Sequence, residues 1–194
     1  GELMSEERLI GSILLAENKN ETNNALLRFM LNQLLHERLQ NVRESEHVYK
    51  SWSLPNASWD VFHKTIDHLT DVIEQNKEPL RLEILLDRAK NKITSIIQSE
   101  DSYETVVLNY LDVTKKIEEN KFNEWGLSHW NSVRPRRMND KIYLIMKKEG
   151  KPLHFVEIAK KINDAGFDKR TAYPATIHNE LILDNKYVLV GRGI

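Results

Sequence analysis

KPLHFVEIAKKINDAGFDKRTAYPATIHNELI, residues 151–182, carries the clearest helical pattern in the chain. Phe155, Ile158, Ala159 and Ile162 recur at i, i+3, i+4 and i+7, which lines one face of an α-helix with apolar side chains. Gly166 stands where that helix must end, because glycine enters the left-handed conformation of a C-cap without steric penalty. Pro174 suits the first position of the next helix, where a missing N–H costs nothing, and Ile177 and Leu181 give that helix a buried side. Upstream, Asn139 or Asp140 starts a helix over Ile142, Ile145 and Met146 that Gly150 ends. Downstream, Tyr187–Val190 reads as a strand and Gly191-Arg192-Gly193 as a turn. Three helices followed by a β-hairpin are the order of a winged helix.

The same order is legible further upstream. Ser58 caps a helix in which Trp59, Phe62, Ile66, Leu69 and Ile73 repeat every three or four residues. Pro79 opens a shorter helix with Leu82, Leu85, Leu86 and Ala89, and a third follows Asp101/Ser102 through Val106, Val107 and Tyr110. Val113, Lys115 and Ile117 then alternate with polar neighbours, Asn120–Lys121 turns the chain, and Phe122–Leu127 returns. At the start, Leu9, Ile10, Ile13 and Leu14 have helical spacing until ENKNETNN (residues 17–24) breaks it. A second helix from about Thr22 to Leu39 carries Leu26, Leu27, Met30, Leu31, Leu34 and Leu35, and His47–Leu54 looks extended up to Pro55. The expected fold is therefore mainly α with small β-hairpins (α+β). A helical N-terminal unit (1–57) precedes two tandem winged helices (58–131 and 132–194), joined by the charged, proline-containing stretch Ser132–Arg137.

Composition narrows the function classes. The chain has 194 residues, 40% hydrophobic and 29% charged, as in an ordinary soluble globular protein. Without a single cysteine, disulfides, cysteine-based zinc sites and thiol catalysis are excluded. The opening GELMSEERL is acidic and lacks a signal peptide's apolar core, and no apolar run approaches the roughly 20 residues of a membrane span. These readings point to a cytoplasmic protein with no membrane partner. The net charge of −1 conceals a polarity. Residues 122–194 hold 13 Lys+Arg against 8 Asp+Glu, a net of +5, so residues 1–121 carry −6.

WGLSHW (125–130), PRRMNDKIYLIMKK (135–148), KPLHFVEIAKKIN (151–163), TIHNELI (176–182) and YVLVGRG (187–193) together resemble the HARE-type helix-turn-helix. That winged-helix domain occurs in the delta subunit of bacterial RNA polymerase, in some restriction systems and in eukaryotic chromatin proteins. The resemblance covers about Trp125–Ile194, and it implies DNA or the transcription machinery as the partner. The longer context is similar in pattern to a bacterial group in which this domain follows a sigma-factor-like helix-turn-helix and a helical middle region. No sigma-like recognition helix is legible in residues 1–57, so the chain reads as a candidate piece of something longer. The family continues with a second wing strand past the position of Gly193, where this sequence stops at Ile194, and Leu183 stands where such domains often carry lysine.

In a helix-turn-helix the third helix enters the major groove with its first turns nearest the bases. With Ile177 and Leu181 inward, Thr176 and Asn179 project outward and His178 lies at the boundary, offering hydroxyl, amide and imidazole groups to base edges or phosphates. Lys169, Arg170 and Thr171 stand just before that helix, whose free N–H groups already favour an anion. Arg192 occupies the expected wing tip, and Arg136 and Arg137 can steer DNA without specificity. Bland roles compete with these. His178 and Asn179 can instead fix the helix–wing junction, His154 reads as a cap or packing residue, Lys160 and Lys161 as a solvated face, and Trp125 and Trp130 as packing rather than base stacking. Glu180 would repel phosphate.

Enzymatic signals are weak. His63 and His68 are five apart on one helix, which separates them in angle, and no HExxH, phosphate-binding glycine loop or GxSxG elbow occurs. The expectation is a non-enzymatic protein without cofactor or catalytic residues that binds double-stranded DNA in transcription, with RNA polymerase as a further partner and a homodimer through the N-terminal helices. The alternative is an adaptor that contacts polymerase or another protein and leaves DNA alone. An accessory module of a nuclease is a third, weaker reading.

Overall fold

The Ser58 hydroxyl accepts the Val61 N–H at 3.3 Å and starts α3 (Trp59–Asn76); the Ser102 hydroxyl accepts the Thr105 N–H and starts α5 (Tyr103–Val113). These caps belong to a computed structural model that describes residues 2–14, 20–97 and 101–194. Its other elements are β1 (Leu3–Ser5), α1 (Glu6–Ile13), α2 (Glu21–Gln33), β2 (Gln40–Val42), β3 (Ser51–Ser53), β4 (Leu80–Arg81), α4 (Leu82–Ile96), β5 (Ile117–Glu119), β6 (Glu124–Leu127), α6 (Met138–Glu149), α7 (Phe155–Ala165) and α8 (Pro174–Leu183). The protein is mainly α with small antiparallel sheets, the α+β class expected. It folds as two compact units, Gly1–Glu118 and Glu119–Ile194.

In the first unit α3, α4 and α5 bury the stripe read from the sequence. Phe62, Ile66, Leu69 and Ile73 meet Leu85, Ala89 and Ile93 of α4 and Val106, Val107 and Tyr110 of α5, and the Phe62 and Tyr110 rings meet edge to face at 5.2 Å. Residues 1–57, read as helical, also form a three-stranded sheet, β1-β3-β2, with Leu3 opposite Ser53 and Gln40 opposite Ser53 from the other side. Beneath it Glu6 is buried and accepts Arg28 Nε at 2.9 Å, Lys50 Nζ at 2.9 Å and the Trp52 indole N–H at 3.3 Å. Burial alone would raise the Glu6 carboxyl, but hydrogen bonds from Lys50 and Arg28 outweigh it and hold the group below its ordinary value.

Several boundaries differ from expectation. α2 begins at Glu21, capped by the Asn20 side chain, so residues 21–24 of ENKNETNN are helix; residues 17–19 lie outside the described residues. The helix also ends at Gln33 rather than near Leu39, and tight turns follow. α4 starts at Leu82 rather than at Pro79, since Leu80–Arg81 is extended, and Val113 closes α5 rather than opening a strand. The turn between β5 and β6 is closed by Asn120 N–H on the Glu124 carbonyl, 2.8 Å, as the sequence suggests.

In the second unit α6, α7 and α8 enclose Ile142, Ile145, Leu153, Ile158, Ala159, Ile162, Ala172 and Ile177, with Leu181 and Tyr187 packed on that core. Gly150 (φ 63°) and Gly166 (φ 59°) end α6 and α7 in the left-handed region, where a side chain would add strain. Arg137, two or three positions earlier than expected, is the N-cap of α6, and Asp140 reaches back to accept its N–H at 3.0 Å. Tyr187–Val190 is not a strand: no ladder partner engages it among the described residues, and Val188, Leu189 and Val190 are 79%, 75% and 64% exposed. Gly191–Gly193 is a turn, as read.

Candidate nucleic-acid interface

The loop from Asp168 to Ala172 delivers the chain into α8, and four hydrogen bonds define it. Asp168 Oδ1 accepts the Arg170 N–H at 2.9 Å, a local turn that aspartate makes readily. Its other oxygen receives Lys141 Nζ at 2.7 Å. Lys141 lies on α6 among the core residues with its side chain only 2% exposed, so its ammonium depends on that carboxylate. At the loop's far end the Asn163 amide of α7 brackets Ala172, accepting its N–H at 2.7 Å and donating to its carbonyl at 3.0 Å. Lys141 and then the Arg170 N–H hold the Asp168 carboxyl below the ordinary aspartate range.

Lys169, Arg170 and Thr171 are exposed within this frame, and no ion pair involves either cation among the described residues. The loop ends at Tyr173, which supplies no side-chain cap, and Pro174 lacks an N–H, so the N–H groups of Ala175 and Thr176 have no partner within α8. Cations and open amides thus lie at one helix end, an arrangement that suits a phosphate or carboxylate. Thr176, His178 and Asn179 are exposed along α8, while Ile177 is fully buried. Glu180 is half-buried.

Phe155 joins a second cluster to this helix. Its ring meets the His178 ring edge-on at 5.2 Å and the His154 ring at 4.2 Å, and its N–H donates to the Gly193 carbonyl at 3.1 Å. Gly193 has φ 75°, and a Cβ there would lie 2.5 Å from His154 Nε2. The Gly191–Gly193 turn is therefore seated on the first turn of α7, which places exposed Arg192 beside the cluster that holds His178. His154 has the capping role expected, its Nδ1 accepting the Val156 N–H at 3.2 Å.

Arg136 and Arg137 stand elsewhere. Asn139, next on α6, donates to Asp184 at the C-terminal end of α8 and accepts the Tyr187 hydroxyl at 2.9 Å. That end lies about 15 Å along the ten-residue helix from Lys169–Thr171. Lys161 pairs with Glu149 at 2.9 Å, whereas Lys160 is exposed. Trp125 is buried, which takes its ring out of reach of a base.

No protein-family model, no curated protein and no solved structure matches this chain. The likeness to the HARE-type domain therefore stands on its residue pattern alone. Sequence reasoning picked the exposed cations and missed the residues that fix them. Asp168 carried a usable signal, an acid two residues before Arg170 in a turn, and Lys141 stood out as a charge beside the apolar stripe of α6. No shared group of three or more metal-ligating side chains occurs among the described residues, and no helix among them is long and apolar enough to cross a membrane.

Proposed function

We propose that residues 132–194 form a helix-turn-helix of the winged kind, with the Gly191–Gly193 turn standing in place of a wing hairpin, that docks on double-stranded DNA in a non-enzymatic, transcription-associated protein of the cytoplasm, a regulator or an RNA polymerase accessory. The reading is carried by one observation: Lys169 and Arg170 stand exposed, in no ion pair among the described residues, before the uncapped start of α8. There, phosphates meet two cations and open N–H groups together. Thr176 and Asn179 follow on the exposed side of the same helix, with His178 and Arg192 beside them as backbone or groove contacts.

Random duplex binds at micromolar concentration or weaker, and affinity falls steeply with salt, as counterion release requires. Gel-shift titration of the full chain at two salt concentrations tests this; absence of binding at low salt overturns it. Lys169→Glu combined with Arg170→Glu abolishes binding, and retention of wild-type affinity in that variant removes the loop from the interface.

A second reading, an adaptor for RNA polymerase or another protein, is favoured by a separate observation. Ile182 and Leu183 are 66% and 82% exposed near the end of α8 remote from the cations, and Val188–Val190 are exposed as well. Under that reading the double charge reversal leaves a polymerase pull-down intact, while Leu183→Asp weakens it.

A further inference from the structure

We infer that α2 is a self-association surface through which two copies of this chain pair antiparallel, centred on Met30. Its inward side is held by little: Leu31 is its one buried side chain, and Arg28 ties it to Glu6. Outward it presents Leu26, Phe29, Met30 and Leu34, which are 56%, 59%, 41% and 65% exposed. At 3.6 residues per turn these four fall within an arc of about 140°. The remaining positions in that arc, Thr22, Asn23 and Gln33, are uncharged. An apolar helix face of this kind in water is an interaction surface.

The spacing of the stripe selects the occupant. Leu26 and Leu34 each stand four residues from Met30, and Leu34 keeps helical geometry as the C-cap. A two-fold axis through Met30 therefore sets Leu26 against Leu34 of a second copy, Met30 against its own equivalent, and Phe29 over the Met30 opposite. Such a palindromic stripe complements itself. The antiparallel arrangement also sets each positive dipole end beside a negative one. No like charges meet on the contacting faces.

The area sets the strength. Since a buried aromatic removes ~150–250 Å² from water, four half-exposed side chains offer about 400 Å² per copy and about 800 Å² on pairing. Flanking Thr22, Asn23 and Gln33 bring the total to roughly 1,000 Å², the lower bound for a specific interface, so dimerisation is weak and concentration-dependent in the micromolar range.

The absence of cysteine makes the register directly testable. Sedimentation of the full chain is expected to show monomer passing to dimer as concentration rises, and Phe29→Glu weakens the dimer by at least about tenfold with its helical circular dichroism retained. Under mild oxidation Met30→Cys cross-links to itself, and an equimolar mixture of Leu26→Cys and Leu34→Cys cross-links more than either variant alone. A chain that stays monomeric, a dimer indifferent to Phe29→Glu, capture of only a different protein on this face, or stronger cross-linking of Leu26→Cys with itself than in the mixture each overturns the inference. Mass and cross-linking are read without DNA, so this outcome is independent of the function proposed above.

Discussion

α2 and α7 are both short helices with an apolar stripe, yet the structure uses the two stripes in opposite ways. The stripe of α7 disappears into the second unit: Ile158, Ala159 and Ile162 are buried against α6 and α8. Along α2, all but Leu31 of the long apolar side chains remain at least partly open to water. Periodicity therefore encodes less than a contact. A 3.6-residue repeat states that one face is apolar; the partner that covers it is set by the rest of the chain or by another molecule.

Deleting the same kind of side chain from each helix separates a covered stripe from an open one. Ile158→Ala should destabilise the second unit by about 2–5 kcal/mol in denaturant titration, because it removes buried methyl groups and leaves a cavity. Leu26→Ala should stay within about 0.5 kcal/mol when measured dilute enough to be monomeric. Equal losses at the two sites would show that α2 is covered after all.

A smaller effect is expected at the α7 side chain that frames the cationic loop. Asn163→Ala removes both bonds to Ala172 and should cost about 1–2 kcal/mol, with faster amide exchange at residues 169–172 before any global opening. Unchanged exchange would mean that the clamp does not order the loop.

The smallest change is one of pH. Asp168 is held below its ordinary value first by Lys141 and then by the Arg170 N–H, and Glu149 first by Lys161. A depressed folded-state pKa contributes stability that is complete above the unfolded value and fades as pH falls through the folded one. The second unit should therefore begin to lose stability below pH 4.5, the ordinary value for glutamate, with the Asp168 contribution following below pH 3.8, that for aspartate. Lys141→Met should flatten that loss. An unaltered acid profile in Lys141→Met would mean that the pair does not perturb Asp168.

Legibility followed the range of the interactions. The starts of α3, α5 and α8 and the end of α7 are legible because Ser58, Ser102, Pro174 and Gly166 act on their own neighbours, whereas the far end of α5, at Val113, reads as a strand. β1 and β2 are not legible, since three-residue strands carry little pattern and Leu3 finds its partner 50 positions away at Ser53. Tyr187–Val190 misled in the other direction: β-branched residues suit a strand, but a strand needs a ladder. Lys169 and Arg170 were visible as charges on a loop. Their setting was hidden, because Lys141 meets Asp168 across 27 positions and Asn163 meets Ala172 across nine.

Lys141 also acts as an internal proofreader. Turning α6 by one position, or sliding the α7–α8 connection by one residue, would part the ammonium from Asp168 and strand a bare charge in hydrocarbon. Near-miss arrangements of the three helices are penalised at this one atom. The loop that presents Lys169 and Arg170 is thereby tied to the correctly assembled core.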